Sequence, residues 1–415
     1  MPVTATLRLR RREERRLLAG HLWVFSNEID TPATPIRGLE PGAPVRIESA
    51  TGRFIAHAYA NPASLITARV TSRRPDRPFD ATMLRERLAD ALALRERRYH
   101  EPFYRWVYGE GDLLPGLVVD RFDDALVVQV TTAGMERFRD EIVDTLAALS
   151  GAASILLAND APVRELEGLP SYREPVVGAA RDSVRVRENG LEFTVPASVS
   201  QKTGWFYDHR ESRRALGHWV RGARVLDLYS YLGAFGLNAA AGPRDENGSG
   251  GERTRGGEAA GGAREVIAID ASAAAVAAAN ANARANGLGG VFEARVDDAV
   301  EAMRRMVEAG ERFDVVVLDP PAFVKRRKDL DAGTRHYALN NRLAMRLLTP
   351  GGILLSASCS QAVDEAALAR IVRRAVPKGS AGLQLLESLR QAPDHPVHAA
   401  MPETLYLSGT IARLL

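Results

Sequence analysis

The chain has 415 residues, which is long enough for two or three domains, and its apolar fraction of 46% is that of an ordinary globular protein. Its formal charge of +3 is too small to draw the whole molecule onto a polyanion. The single cysteine excludes a disulfide framework and a multi-cysteine zinc site, and the sequence holds no run of 18 apolar residues that could cross a membrane.

The basic residues are unevenly divided, because only four of the 55 are lysines and the rest are arginines. Arginine forks onto phosphates and stacks on bases, which favours an enzyme that acts on nucleic acid. A GC-rich genome that encodes arginine in place of lysine explains this composition at least as well. The N-terminus is charged from Arg8 to Arg16 and lacks the apolar run of a secretion signal, so we expect a cytoplasmic protein.

The first two segments of the chain are predicted to be small separate domains. In residues 1–73, short strand-like runs alternate with turns that contain proline and glycine, which predicts a small β-barrel. Residues 74–196 begin with an amphipathic helix at Met83–Tyr99 and continue with short strands and a second helix at Met135–Leu149. This pattern predicts a central α+β domain.

Residues 197–415 alternate between strands and helices, which predicts an α/β fold with a parallel, doubly wound, Rossmann-like sheet. Ligands of such sheets bind beyond the carboxyl ends of the strands. Four of the predicted strands end at polar or reactive residues, which are Asp227, Asp270, Asp319 and Cys359. The segment Pro243–Ala263 consists mostly of Gly, Arg, Glu, Ala and Ser, and we expect it to be a disordered surface insertion.

A nucleotide-type pocket is predicted after the first of these strands, where the segment Asp227–Gly233 leads into a helix. The segment lacks the pattern Gly-x-Gly-x-x-Gly, which disfavours a dehydrogenase. Asp270 lies 43 residues after Asp227, or 22 without the insertion, close to the distance of about 20 expected for an acidic residue that binds ribose hydroxyls. Asp298 follows the third strand, where it could bind an adenine amino group or simply cap a helix.

The loop after the fourth strand has the sequence Asp319-Pro320-Pro321-Ala322-Phe323. Proline fixes φ and removes N–H donors, so the loop is predicted to be rigid and to expose its carbonyl groups. Phe323 offers a face on which a planar base can stack. We prefer this interpretation to that of a simple turn with one core aromatic residue.

Cys359, the only thiol, lies at the carboxyl end of the next strand. A thiolate at that place could attack carbon 6 of a pyrimidine, which makes carbon 5 nucleophilic and able to accept a methyl group. A buried structural thiol is the more ordinary fate of a lone cysteine. The pattern alone leaves these two interpretations equally weighted. The eight histidines form no metal-binding pattern, so no metal is expected.

Seven segments, in order along the chain, carry a resemblance to a known family. They are Gly20–Ser26, Gly109–Asp112, Leu114–Leu117, Asp120–Phe122, Gln201–Arg210, Arg390–Pro396 and Leu405–Leu407. Taken together, they resemble the bacterial large-subunit rRNA methyltransferase I family. That family methylates carbon 5 of a cytosine in 23S rRNA and uses S-adenosylmethionine.

The resemblance implies a PUA domain in the N-terminal barrel and a class I methyltransferase domain at residues 197–415. It implies 23S rRNA as the partner and no membrane, and it leaves a homodimer open. It makes Cys359 the counterpart of the nucleophile, and Asp319 a candidate for orienting the base or assisting proton transfer. The residues implied in cofactor binding are Gln201, Lys202, Thr203, Gly204, Phe206, Asp208, Arg210, Asp227, Tyr229, Ser230, Gly233, Asp270, Asp298 and Asp319. The residues implied in substrate binding are Pro320, Pro321, Phe323 and Lys325.

Two other functions remain open from the sequence. In an amino-group methyltransferase of RNA, the Asp-Pro-Pro loop would bind an exocyclic amine and Cys359 would be inert. A non-catalytic RNA-binding assembly factor could keep the same fold, although Asp270 and the segment Gln201–Arg210 argue against it. Substitution of Cys359 and a measurement of cofactor binding separate the three functions.

Overall fold

The computed structural model describes residues 5–199, 203–244, 261–324 and 326–415. The chain divides into two compact units. The first unit consists of Met1–Asp182, Gln201–Trp205 and Pro393–Thr404, and the second of Ser183–Ser200, Phe206–Ala392 and Leu405–Leu415. The predicted barrel and residues 74–182 of the predicted central domain therefore lie in the first unit, whereas residues 183–196 lie in the second. The domain limits near residues 73 and 196 stay predictions.

The N-terminal part of the first unit is a five-stranded sheet with the order β1-β3-β4-β5-β2. Its elements are β1 (Ala5–Arg8), α1 (Glu14–Leu18), β2 (Trp23–Val24), β3 (Ala43–Glu48), β4 (Phe54–Ala60) and β5 (Ala68–Ser72). Strand β1 is parallel to β3, and the other pairs are antiparallel. Along β3, buried Val45 and Ile47 alternate with the more exposed Arg46 and Glu48, so that one face of the strand joins the apolar core.

A second five-stranded sheet, with the order β10-β9-β8-β7-β6, follows in the same unit. Its elements are α2 (Ala81–Arg98), β6 (Phe103–Tyr108), β7 (Leu117–Phe122), β8 (Ala125–Val130), α3 (Ala133–Glu136), α4 (Arg139–Ser150), β9 (Ser154–Asn159), α5 (Val163–Leu166) and β10 (Tyr172–Val177). Asp80 caps α2 by accepting the Met83 N–H at 2.8 Å. The single helix predicted at Met135–Leu149 is wrong, because the backbone leaves the helical conformation at Phe138 (φ −107°, ψ 17°) and separates α3 from α4.

The second unit contains a β-hairpin and a seven-stranded sheet with helices. The hairpin strands are β11 (Ser183–Glu188) and β12 (Leu191–Pro196). The remaining elements are α6 (Arg210–Gly217), β13 (Arg224–Leu228), α7 (Ala234–Ala241), β14 (Glu265–Asp270), α8 (Ala273–Ala285), β15 (Phe292–Val296), α9 (Ala299–Glu308), β16 (Phe313–Leu318), α10 (Leu330–Leu347), β17 (Leu348–Ser358), α11 (Glu365–Arg374), β18 (Leu383–Arg390) and β19 (Ser408–Leu414).

The seven strands have the order β15-β14-β13-β16-β17-β19-β18. The first five are parallel, whereas β19 is antiparallel to both of its neighbours. The expectation of a doubly wound α/β sheet is confirmed, but the sheet is not parallel throughout. Strand β19 follows β18 in the chain and lies between β18 and β17 in the sheet. The connection from β18 to β19, which the structure describes throughout, contains only a short 3-10 helix, Pro402–Thr404.

Helix α8 holds strand β12 through two asparagine side chains. Asn282 accepts the Thr194 N–H at 2.9 Å and donates to the Thr194 carbonyl at 3.3 Å. Asn286 does the same for Glu192, at 3.0 and 2.6 Å. Each side-chain amide therefore pairs with the N–H and the carbonyl of one β12 residue, as the backbone of an adjacent strand would. These bonds attach the hairpin to helix α8, which packs beside the seven-stranded sheet.

Parts of the chain with predicted features lie outside the described residues. They include most of the predicted insertion Pro243–Ala263, together with Gln201, Lys202 and Lys325. Within the described ranges, no helix has the length and apolar character needed to cross a membrane.

Candidate active site

Four adjacent strands of the seven-stranded sheet end at one edge. In the register of the sheet, Leu228 of β13 is paired with Ile269 of β14 and with Leu318 of β16, and Leu318 is paired with Ser356 of β17. Residues at the ends of these strands therefore share the carboxyl edge, and they are Asp227, Asp270, Asp319 and Cys359. The predicted acidic positions and the thiol are brought to the same edge.

The turn between β13 and α7 is strained and is held by Asp270. Tyr229 (φ +62°), Tyr231 (φ +50°) and Gly233 (φ +76°) all lie in the left-handed region, which is unfavourable for the two tyrosines. The Asp270 carboxylate accepts the Tyr231 N–H at 2.8 Å through Oδ2 and the Ser272 N–H at 2.9 Å through Oδ1. Each oxygen keeps a further lone pair, so Asp270 can still accept hydrogen bonds from hydroxyl groups.

Asp227 is a buried carboxyl group beneath the first turn of α7. Its Oδ2 accepts the Gly236 N–H at 2.8 Å. A Cβ at position 236 would lie 3.0 Å from this oxygen and 2.7 Å from the Phe292 ring, so the close approach requires glycine. Burial raises the pKa of Asp227 to about 7, against the opposite effect of the Gly236 N–H, and the nearby carboxylates of Asp319 and Asp270 add to the rise.

Two buried polar atoms beside the strained turn have no hydrogen-bond partner in the described part of the chain. They are Oδ1 of Asp227 and Oγ of Ser230, whose residues are 1% and 7% exposed. Buried polar atoms in native proteins are almost always paired. The two atoms therefore indicate a place where a bound molecule supplies the missing partners.

Tyr229 and Asp298 contribute to the edge in different ways. The Tyr229 hydroxyl donates to Oδ1 of Asn340 at 2.6 Å, and burial together with the charge of Asp298 raises its pKa to about 12. Asp298 is exposed and caps α9 by accepting the N–H groups of Val300 and Glu301 at 2.9 and 3.0 Å. The helix-cap role of Asp298 is thus present, and its contact with an adenine amino group stays a prediction.

The loop Asp319–Val324 is attached to the segment that carries Cys359. The Val324 N–H donates to Oγ of Ser360 at 3.1 Å, and the Tyr337 hydroxyl lies 2.9 Å from the same Oγ. The Phe323 ring packs edge to face on Tyr337, with the ring centres 4.9 Å apart. Cys359 is partly exposed.

The residues of the Asp-Pro-Pro loop differ in how far they are exposed to solvent. Pro320 is buried, Pro321 is exposed and Phe323 is half-buried. Phe323 also lies 5.4 Å from the exposed His336, with the two rings tilted by 35°. Phe323 therefore packs against the core on one side, and its role as a stacking surface for a base stays a prediction.

Asp319 has a buried partner that sequence analysis did not single out. Nε2 of His209 lies 3.2 Å from Oδ1 of Asp319. Burial lowers the pKa of His209, but the adjacent carboxylate of Asp319 outweighs it and the net shift is upward. His209 is within the segment Gln201–Arg210, which is the one sequence signal that could have drawn attention to it.

The other described residues of that segment divide between the two units. Phe206 packs edge to face on Tyr231 of the strained turn at 5.6 Å, and Asp208 accepts a hydrogen bond from the Tyr406 hydroxyl. The guanidinium of Arg210 lies 3.6 Å from the buried Glu188. Phe206 therefore contacts the strained turn, whereas Asp208 and Arg210 pair with other residues of the second unit. Thr203 and Gly204 are buried and belong to the first unit.

Comparisons with known proteins give the same architecture. Residues 7–73 match the model of a PUA-like domain, and residues 221–391 match that of a methyltransferase domain. The chain is 35% identical over 412 residues to ribosomal RNA large subunit methyltransferase I of Cronobacter sakazakii, with 98% of each chain covered. It is also 35% identical over 421 residues to the protein of the same name from Tolumonas auensis, with 100% of both covered.

Two solved structures share the fold over nearly the whole chain. One is described as a SAM-dependent methyltransferase from Streptococcus mutans, with a TM-score of 0.80 at 18% identity, covering 99% of this chain and 100% of that one. The other is described as a methyltransferase complexed with SAH, with a TM-score of 0.81 at 19% identity and the same coverage.

The fold and the matched domains thus define a methyltransferase that carries a PUA-like domain, as the sequence predicted. The full-length relatives narrow this class further. The chain belongs to the ribosomal RNA large subunit methyltransferase I family.

Proposed function

We propose that this protein transfers a methyl group from S-adenosylmethionine to carbon 5 of a cytosine in 23S rRNA, through a covalent bond between Cys359 and carbon 6. The observation that carries the proposal is the position of the thiol. Cys359 is partly exposed and follows β17, the strand adjacent to the one that ends at Asp319. The names of the relatives from Cronobacter sakazakii and Tolumonas auensis support large-subunit rRNA as the substrate.

The residues of the carboxyl edge fit S-adenosylmethionine. This molecule carries a sulfonium and an ammonium group, and when bound it supplies an electrophilic methyl group. The carboxylates of Asp270 and Asp319 lie close enough to Asp227 to raise its pKa, and this concentration of carboxyl groups favours a cation there. Asp270 retains lone pairs for ribose hydroxyls, and the unpartnered Oδ1 of Asp227 and Oγ of Ser230 can bind polar groups of the ligand.

Cys359 activates the target base in this mechanism. Carbon 5 of cytosine is a weak nucleophile, and attack of the thiolate on carbon 6 moves the electron pair of the double bond to carbon 5, which then bonds to the methyl group. Carbon 5 next loses its proton, the C6–S bond breaks and the double bond is restored. Because the chain has one cysteine, the same sulfur must attack and leave. Asp319 is the candidate acceptor for the proton.

The target cytosine must be unstacked before Cys359 can reach carbon 6. Phe323 is half-buried and lies in the loop after β16, so its open side can stack on the extruded base. Such stacking contributes about 1–3 kcal/mol per base. We propose that the PUA-like domain of residues 7–73 supplies a further RNA contact. We also propose that the protein acts in the cytoplasm, and the homodimer stays a prediction.

The test uses a strain that lacks this gene. We expect mass spectrometry of its 23S rRNA to show one missing 5-methylcytidine, which the wild-type gene restores. Cys359→Ala should not restore it, although calorimetry should show wild-type affinity of this variant for S-adenosylmethionine. Restoration by Cys359→Ala would instead indicate an amino-group methyltransferase. A wild-type protein that binds no S-adenosylmethionine would indicate an assembly factor.

A further inference from the structure

We propose that His209 is a positioning residue that orients Asp319 to remove the proton from carbon 5 of the methylated base. The inference rests on the proposed function and adds to it a residue outside the predicted site. His209 ends a short turn, Tyr207–His209, directly before α6, whereas Asp319 follows β16. The two residues are therefore brought together only by the fold.

The His209 ring is fixed in place. The residue is 3% exposed, and its ring packs at 68° against the ring of Phe235 in α7, with the centres 5.3 Å apart. Nε2 lies 3.2 Å from Oδ1 of Asp319, within hydrogen-bonding distance, while Nδ1 has no partner in the described ranges. The acceptor beside Nε2 keeps a proton on that nitrogen in the neutral and the charged imidazole alike, so His209 donates to Asp319 in both states.

The charges that face His209 come from three elements. Asp319 and Asp208 stabilise the protonated imidazole, whereas Arg213 of α6 and burial oppose it. Phe235 of α7 carries no charge. The net effect favours the charged form more than in water. A charged His209 places a positive charge 3.2 Å from Oδ1 of Asp319, which opposes the arrival of a proton from carbon 5, whereas a neutral His209 does not.

Asp319 is better placed than Asp227 for the proton transfer. Its side chain is 26% exposed and follows the strand adjacent to β17, which precedes Cys359. Asp227 is buried beneath α7 and bonded to Gly236. With Oδ1 of Asp319 directed at His209, Oδ2 accepts the proton of carbon 5. The C5–H electron pair then forms the C5=C6 double bond, and the C6–S electron pair returns to Cys359 as thiolate.

The test compares His209→Gln, which keeps a hydrogen-bond donor, with His209→Leu, which does not. Both full-length variants are mixed with target RNA and S-adenosylmethionine that carries a radiolabelled methyl group. We expect labelled RNA–protein adduct to accumulate with His209→Leu on denaturing gels and release of methylated RNA to slow by about tenfold or more. His209→Gln should release its product within about threefold of the wild-type rate, because it preserves the hydrogen bond.

A pH profile separates positioning from simple structural support. The wild-type release rate should rise as pH increases through the pKa of His209, and His209→Gln should lack this rise. Calorimetry should give equal affinities of all three proteins for S-adenosylmethionine. Equal defects in the Gln and Leu variants, or a wild-type release rate in His209→Leu, would overturn the inference. Methylation by Cys359→Ala would overturn the proposed function itself.

Discussion

The position of an individual residue at the carboxyl edge could be predicted from sequence where it followed a recognisable strand at the expected distance from another site residue. Asp270 follows from its distance to Asp227, and the structure places it under the strained turn. The burial of Asp227 could not be predicted, because it depends on the approach of Gly236. His209 escaped prediction because its partner Asp319 is 110 residues away along the chain, and no local pattern records such a contact.

Asp227→Asn tests how the ionisation of this buried carboxyl group changes the stability of the protein. Its pKa is raised from 3.8 to about 7, so its stabilising contribution is fully present below about pH 4 and is lost as pH rises through 7. Asn keeps an acceptor for the Gly236 N–H and cannot ionise. We expect the variant to unfold at a higher temperature than the wild type at pH 8, and to show a smaller difference at pH 5.

The same variant should bind S-adenosylmethionine more weakly in calorimetry, because one of three carboxyl groups has been neutralised. Asp364→Asn is the matched control, since it changes an exposed helix cap of α11 and keeps the cap acceptor. A variant that is less stable than the wild type at both pH values would contradict the raised pKa of Asp227.

At the scale of elements, the alternation of strands and helices in the second unit was predictable because buried parallel strands are apolar runs that end at polar residues. Strand β11 was missed because Ser183–Glu188 contains only two apolar residues, Val184 and Val186. The break between α3 and α4 was missed because the apolar spacing continues through Phe138.

The asparagines of α8 should carry much of the attachment of the hairpin. Asn282 is 2% exposed, and its amide makes two bonds with the backbone of Thr194. We expect Asn282→Ala to lower the free energy of unfolding by about 1–3 kcal/mol, because it removes both hydrogen bonds between α8 and the Thr194 backbone. Chemical denaturation measures this change, with the exposed Arg284→Ala of the same helix as the control. Equal stabilities of the two variants would show that the bonds contribute nothing.

In the first unit, a single glycine allows α3 to pack on β4. A Cβ at Gly134 would lie 2.0 Å from the Tyr59 ring, whose hydroxyl is held by the Pro115 carbonyl at 2.7 Å. We expect Gly134→Ala to destabilise the protein by about 1–3 kcal/mol through overpacking. Gly290→Ala, where a Cβ meets nothing within 4 Å, is the matched control in thermal unfolding. An unchanged transition in Gly134→Ala would show that Tyr59 can move aside.

At the scale of the whole molecule, the abundance of arginine does not by itself indicate RNA binding. Several arginines form buried ion pairs inside the protein, including Arg95 with Asp112, Arg105 with Asp120 and Arg213 with Glu188. These guanidinium groups bind carboxylates within the protein and are not available to bind phosphate. In the proposed function, contact with RNA therefore depends on local patches and on shape, as the net charge of +3 suggests.

The salt dependence of RNA binding follows from this distribution. Each phosphate neutralised adds about 0.9 to the slope of log affinity against log salt for a duplex and about 0.7 for a single strand. We expect the slope to stay below about 4 in magnitude when filter binding or fluorescence anisotropy is measured across a salt series. A slope of about 6–10 would indicate an extended basic surface and would contradict this expectation.

The central claim is the bond between Cys359 and carbon 6 of the target cytosine. It is tested most directly with target RNA that carries 5-fluorocytidine at the modified position, because fluorine replaces the proton that must leave. The account predicts a stable complex whose mass equals protein plus RNA plus one methyl group, with peptide mapping that locates the bond at Cys359. Methylation without any such complex, or a bond at another residue, would contradict it.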